Sequence, residues 1–135
     1  MSHGTILLSH KCLAKLFNLQ IDTEDEFLFY LVGEVRRKTP PSPTAWVWDI
    51  ILPEQITSPA YCQITERGMV EVHRELLRRA KYIVGWGHSH NNFLPFHSGT
   101  DTHTDMTFAS ICRSNPIVSI VISRHLPWLG RFVYR

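Results

Sequence analysis

Apolar residues recur along the chain with two different periods, and each switch of period marks a change of element. Thr5–Leu8 reads as a short strand, and Ser9 then offers an N-cap to a helix whose apolar positions Leu13, Leu16 and Phe17 follow the i, i+3, i+4 rule. Phe27–Val35 is β-rich and carries no polar residue before Gly33, as expected of a central strand covered on both faces. Lys38–Thr44, with three prolines, is a turn or loop. Ala45–Leu52 follows as a strand with Trp46, Trp48 and Ile50 on one face, and Pro53 ends it. Pro53–Ala60 reads as loop and Tyr61–Ile64 as another short strand.

Thr65 can cap a helix that starts at Glu66, with Met69, His73, Leu76, Leu77 and Ala80 along one side. Lys81–His90 then alternates as a strand, so Tyr82, Val84, Trp86, His88 and His90 share a face opposite Ile83, Gly85, Gly87 and Ser89. Asn91–His97 reads as loop and Thr100–Arg113 as an amphipathic helix with Met106, Ala109 and Cys112 inward. Two strands, Ile117–Ser123 and Arg131–Tyr134, close the pattern. Hairpin-like strand pairs mixed with helical crossovers imply an α/β fold, a mixed sheet flanked by helices.

A length of 135 residues suits one domain, and 44% hydrophobic against 19% charged residues supplies a core and excludes a disordered chain. The longest unbroken apolar run, Phe27–Val32, is far shorter than the roughly 18 residues a membrane span needs. The first residues lack the basic and apolar regions of a secretory signal, so an intracellular, cytoplasmic protein without a membrane partner is expected. Net charge is only +2, and the longest basic block is Arg36-Arg37-Lys38, too weak a footprint on its own for nucleic acid. Cys12, Cys62 and Cys112 are odd in number and widely spaced, which suggests buried apolar fillers rather than disulfides or a thiolate zinc site.

The histidines change the picture, because four of the eight fall between His88 and His103. Two imidazoles at i and i+2 on a strand stand side by side, and a carboxylate from the next element can complete a three-donor set with one position left open. That donor set is the composition of a catalytic zinc centre, in which the open position holds a water acidified to a pKa of about 7. Each part also has an ordinary structural explanation. A histidine pair can serve as core or surface, and Ser98-x-x-Asp101 is a good helix capping box.

The joint pattern resembles the JAMM (MPN-plus) metalloprotease signature, His-[Ser/Thr]-His, seven residues, then Ser-x-x-Asp, which His88, Ser89, His90, Ser98 and Asp101 match at every position. The lead-in Val84-Gly-Trp-Gly-His-Ser-His90 is similar to that of the proteasome-lid deubiquitinase within the family. The family also uses an upstream glutamate seven residues before a glycine, and Glu26 stands at that distance from Gly33, whereas Glu34 follows the glycine. Asn91 stands where members often have proline, and Phe29 where they commonly have glycine three residues after the glutamate.

The resemblance implies a single MPN-type catalytic domain over residues 1–135, of cytidine-deaminase-like architecture, holding one Zn2+ per chain through His88, His90 and Asp101. His97 and His103 are expected outside the ligand set. It implies Glu26 as proton shuttle and Ser98 as donor to the oxyanion. The implied activity is hydrolysis of the bond after the C-terminal glycine of ubiquitin or a ubiquitin-like modifier, so the expected partners are ubiquitin-like conjugates. A homo-oligomer or a larger, proteasome-like assembly is also compatible with the family. Pro53–Ile64 corresponds to a loop that clamps the modifier tail in ubiquitin-cleaving members. Room for the second insertion of linkage-selective members is lacking after Arg131, so no linkage selectivity is expected. Two other readings compete: a non-catalytic MPN scaffold, whose members typically lack a ligand, and a DNA-repair-associated relative, which usually reads His-Asn-His-Pro-Ser-Gly.

Overall fold

The computed structural model describes residues 4–59, 61–79, 82–90, 114–125 and 127–134. The described elements run β1 (Thr5–Leu8), α1 (His10–Asp22), β2 (Leu28–Arg37), β3 (Thr44–Ile51), β4 (Gln55–Ser58), β5 (Tyr61–Ile64), α2 (Glu66–Arg79), β6 (Ile83–Ser89), β7 (Ile117–Ile122) and β8 (Leu129–Val133). The expected helix over Thr100–Arg113 and the loop before it lie outside the described residues. Among the described helices none is long and apolar enough to cross a membrane.

Among the described residues six strands form one mixed sheet in the order β1-β3-β2-β6-β7-β8, with parallel pairs β1/β3 and β6/β7 and antiparallel pairs elsewhere. The fold is therefore mixed α/β. β2 and β6 lie at the centre, and both are buried over long unbroken stretches, as a strand covered on both faces must be. One core gathers Cys12 and Leu16 of α1 with Phe29, Leu31, Val47, Val118 and Ile120. A second, on the other face, gathers Val72 of α2 with Tyr30, Ile83, Trp86 and Ile117.

α1 begins where expected, with the Ser9 hydroxyl accepting the Cys12 amide at 3.1 Å. Its buried face is Cys12, Leu16 and Gln20, rotated from the expected stripe, so Phe17 lies out against Trp128 with ring centroids 5.3 Å apart. The Arg124 guanidinium closes the helix by donating to the carbonyls of Gln20 (2.6 Å) and Thr23 (3.1 Å), a cation at the negative end of the helix dipole.

Register shifts break two expected alternations. Val32 pairs with Asp49 and Gly33 with Val47, leaving Trp48 as an extra residue, so Trp46 and Trp48 face solvent while Ile50 turns into the core with Val47 and Ala45. Leu31 pairs with Gly85 and Val32 with Ile83, leaving Val84 extra, so Val84 joins the α1-side core and Ile83 lies with Trp86. The expected loop after Pro53 is half strand, because Gln55–Ser58 pairs with Tyr61–Ile64 as a hairpin.

On α2 the Thr65 cap holds, its hydroxyl accepting the Gly68 amide at 3.0 Å. The buried face, however, is Gly68 and Val72, while Met69 and Leu77 face water. A Cβ at Gly68 would lie 2.2 Å from the Glu54 carbonyl oxygen, so the helix approaches the β3–β4 connection through the glycine.

Candidate metal centre

β6 delivers both histidines to one end of the sheet. A Cβ at Gly85 would stand 1.8 Å from the Val118 carbonyl oxygen, and one at Gly87 would meet the Phe29 ring at 2.5 Å. The lead-in glycines therefore permit the close approach of β7 and the seating of Phe29 beneath the strand. Trp86, His88 and His90 point to the same face. The Trp86 and His88 rings stack at 5.2 Å with planes 12° apart, and His88 and His90 follow at 4.7 Å and 54°.

The two Nε2 atoms meet at 2.8 Å, and both side chains are buried, 6% and 7% exposed. In this contact one imidazole donates and the other accepts. An ion with nitrogen ligands at about 2.0–2.1 Å in tetrahedral geometry needs the two nitrogens about 3.3 Å apart. A parting of roughly half an ångström, within reach of small χ changes, would admit it. The donor chemistry and the convergence of the two Nε2 atoms, once both are deprotonated, therefore fit a divalent metal.

Ser89 fixes the other side of the site. Its hydroxyl, fully buried, accepts the Phe27 amide at 3.0 Å, and its own amide donates to the Phe27 carbonyl at 2.9 Å. His90 is held from the opposite flank by donating its amide to the Ile122 carbonyl at 2.8 Å. Leu28 pairs with His88, and Phe27 is hydrogen-bonded to Ser89, so Glu26 immediately precedes the residues of the β2 start that lie beside the histidine strand. Glu26 is half-buried, and its amide donates to the Ser58 carbonyl at 2.8 Å. Glu34 lies six residues beyond Leu28 on the same strand, about 20 Å away at 3.3–3.4 Å per residue, where it pairs with Arg36.

The β4–β5 hairpin braces this strand start, a role that no pattern in the sequence marks. Gln55 Oε1 accepts the Leu28 amide at 2.8 Å and Gln55 Nε2 donates to the Leu28 carbonyl at 2.9 Å, so the side-chain amide stands in for a neighbouring strand. Thr57 donates its hydroxyl to Asp25 at 2.7 Å. Tyr30 pairs with Trp86 on the histidine face, and burial pushes its phenol up to about 12, so it stays protonated throughout the neutral range.

Of the residues singled out from sequence, His88, His90 and Glu26 come to one end of the sheet. Ser98, Asp101, His97 and His103 lie outside the described residues. Among the described residues no group of three His, Cys, Asp or Glu side chains is assembled to hold a metal. Compared with known proteins, the chain matches no family model and no curated protein.

Proposed function

We propose that the chain is a zinc-dependent isopeptidase with a single MPN-type domain, acting in the cytoplasm on ubiquitin or ubiquitin-like conjugates after their C-terminal glycine. The observation that supports this most is the buried His88–His90 pair, Nε2 to Nε2 at 2.8 Å, beside the β2 start that Glu26 precedes. The resemblance of His88-Ser-His90 with Ser98 and Asp101 supplies the rest.

His88, His90 and Asp101 are the residues that would hold the ion. When bound, zinc supplies a Lewis acid that polarises a scissile carbonyl and acidifies a water. Glu26 takes the proton of the attacking water on its carboxylate and returns it to the leaving amine, one carboxylate serving both half-steps. Ser98 donates its hydroxyl to the developing oxyanion. Burial of the histidine pair keeps competing water away and strengthens each of these interactions. The half-exposed hairpin lies beside the strand start, where an extended Gly-rich tail can pair with an open edge.

The test is incubation with a panel of ubiquitin and ubiquitin-like fusions, with and without a chelator. Cleavage after the terminal glycine that chelation stops and zinc restores is the expected result. A folded, zinc-loaded protein that cleaves none of them would turn the reading to a scaffold.

A further inference from the structure

We infer that the solvent face of β3 is a stacking platform for single-stranded nucleic acid, far from the candidate metal centre. Trp46, Trp48 and Tyr82 are large apolar side chains that folding normally covers, yet they stay 40%, 39% and 40% exposed. Buried Val47 alternates between the two indoles, so both stand on the same side of the strand. The Tyr82 ring lies 6.3 Å from Trp48 at 61°, and the Arg36 guanidinium sits 4.6 Å over Trp46, held there by Glu34. Three rings and one guanidinium plane thus form a row across β2, β3 and the start of β6.

Charge beside the row selects the occupant. β2 ends in Arg36 and Arg37, Lys38 follows, and all three are exposed. With Thr39, Pro41 and Ser42 they frame a recess of about 480 Å³. Neither Arg37 nor Lys38 has an acidic partner among the described residues. Aromatic and guanidinium planes accept bases of any sequence, and adjacent cations follow the phosphates. The +2 net charge does not carry this inference; Arg36 over Trp46, sharing a recess with exposed Arg37 and Lys38, does. A membrane surface fits less well, because Glu34 lies within the row and would be taken out of water beside lipid. For a base the same carboxylate is an acceptor for an exocyclic amine. Duplex DNA fits less well too, since its bases are already stacked inside. Tyr82 and His90 lie at opposite ends of β6, about 26 Å apart at strand rise, so this surface is independent of the proposed hydrolase chemistry.

The test titrates the 135-residue chain with a short, labelled oligodeoxycytidine at low salt, following anisotropy and tryptophan emission. Binding should quench emission, because two of the four tryptophans lie in the platform. The slope of log K against log salt should be about −2, as for two or three phosphate contacts. Trp48→Ala should weaken binding roughly 5- to 100-fold. A double variant, Arg37→Glu with Lys38→Glu, should weaken it and flatten the slope. Both of those side chains are exposed and outside either core, so this variant keeps the test valid if Trp48→Ala misfolds. Absence of quenching, equal affinity for a duplex of the same length, unchanged affinity in both variants, or binding to phosphatidylserine vesicles without binding to the oligonucleotide would each overturn the inference.

Discussion

Ser89→Ala isolates the bond that ties the glutamate strand to the histidine strand. The Ser89 hydroxyl is fully buried and is the acceptor for the Phe27 amide at 3.0 Å. Removing it leaves a buried N–H without its acceptor, which costs about 1–3 kcal/mol. For a domain of this size each kcal/mol lowers Tm by roughly 3–4 °C, so a fall of about 3–12 °C is expected. Ser119 is the internal control. Its hydroxyl is 1% exposed and has no hydrogen-bond partner among the described residues, so Ser119→Ala removes a polar group that gains little from burial. It should be neutral within about 0.5 kcal/mol or stabilising. Thermal unfolding of the three proteins, together with exchange of the Phe27 amide, makes the comparison. Equal losses in both variants, or an unchanged Phe27 exchange rate in Ser89→Ala, would refute the reasoning, because volume and not the hydrogen bond would then be the cause.

Glu26→Gln should lower turnover of a cleavable conjugate by about 10²–10⁴-fold while zinc content and Tm stay near wild type, whereas Glu34→Gln should leave the rate within a few-fold. Equal losses would point to general electrostatics, and the reverse order would move the proton shuttle to Glu34. Gly85→Ala should unfold the protein or lower its yield sharply, since the new Cβ would meet backbone at 1.8 Å. Gly130→Ala, whose Cβ would meet only the tip of Ile6 at 2.7 Å, should cost far less, as paired denaturant melts will show. Burial pushes the Cys12 thiol up to about 11, the nearby Asp49 adding to it, so at pH 8 only about one thiol in a thousand is ionised. Alkylation of the native protein should therefore label the half-buried Cys62 well before Cys12; rapid native labelling of Cys12 by peptide mapping would contradict its burial.

Strand positions were largely legible because a fully covered strand reads as an unbroken apolar run, as in Phe27–Val32, and alternation marks a half-covered one. The two bulges were not. Pattern reading assumes a continuous pleat, while the extra residues Trp48 and Val84 are inserted by pairing partners distant in sequence. The same limit misplaced the buried face of α2. A stripe through Met69, His73 and Leu77 is the more apolar in sequence, yet the helix packs through Gly68 and Val72, and a glycine contact has no hydropathy. β4 escaped notice because Gln55, Thr57 and Ser58 are polar, and their side chains and backbone serve Asp25, Glu26 and Leu28 instead of a core. At the site, spacing alone put His88 and His90 on one face, which is a local property of a strand. That the β2 start following Glu26 lies beside them depends on the antiparallel register of β2 with β6, which spans 62 residues of sequence between Phe27 and Ser89.

If the proposed role of His88 and His90 as metal ligands holds, the zinc content of the purified, untreated chain must reflect it. Elemental analysis should find close to one zinc per chain in the wild type and close to none in folded His88→Ala and His90→Ala, while His97→Ala and His103→Ala keep the ion. A ratio near zero in the wild type after exposure to excess zinc, or full occupancy in folded His88→Ala, would contradict it.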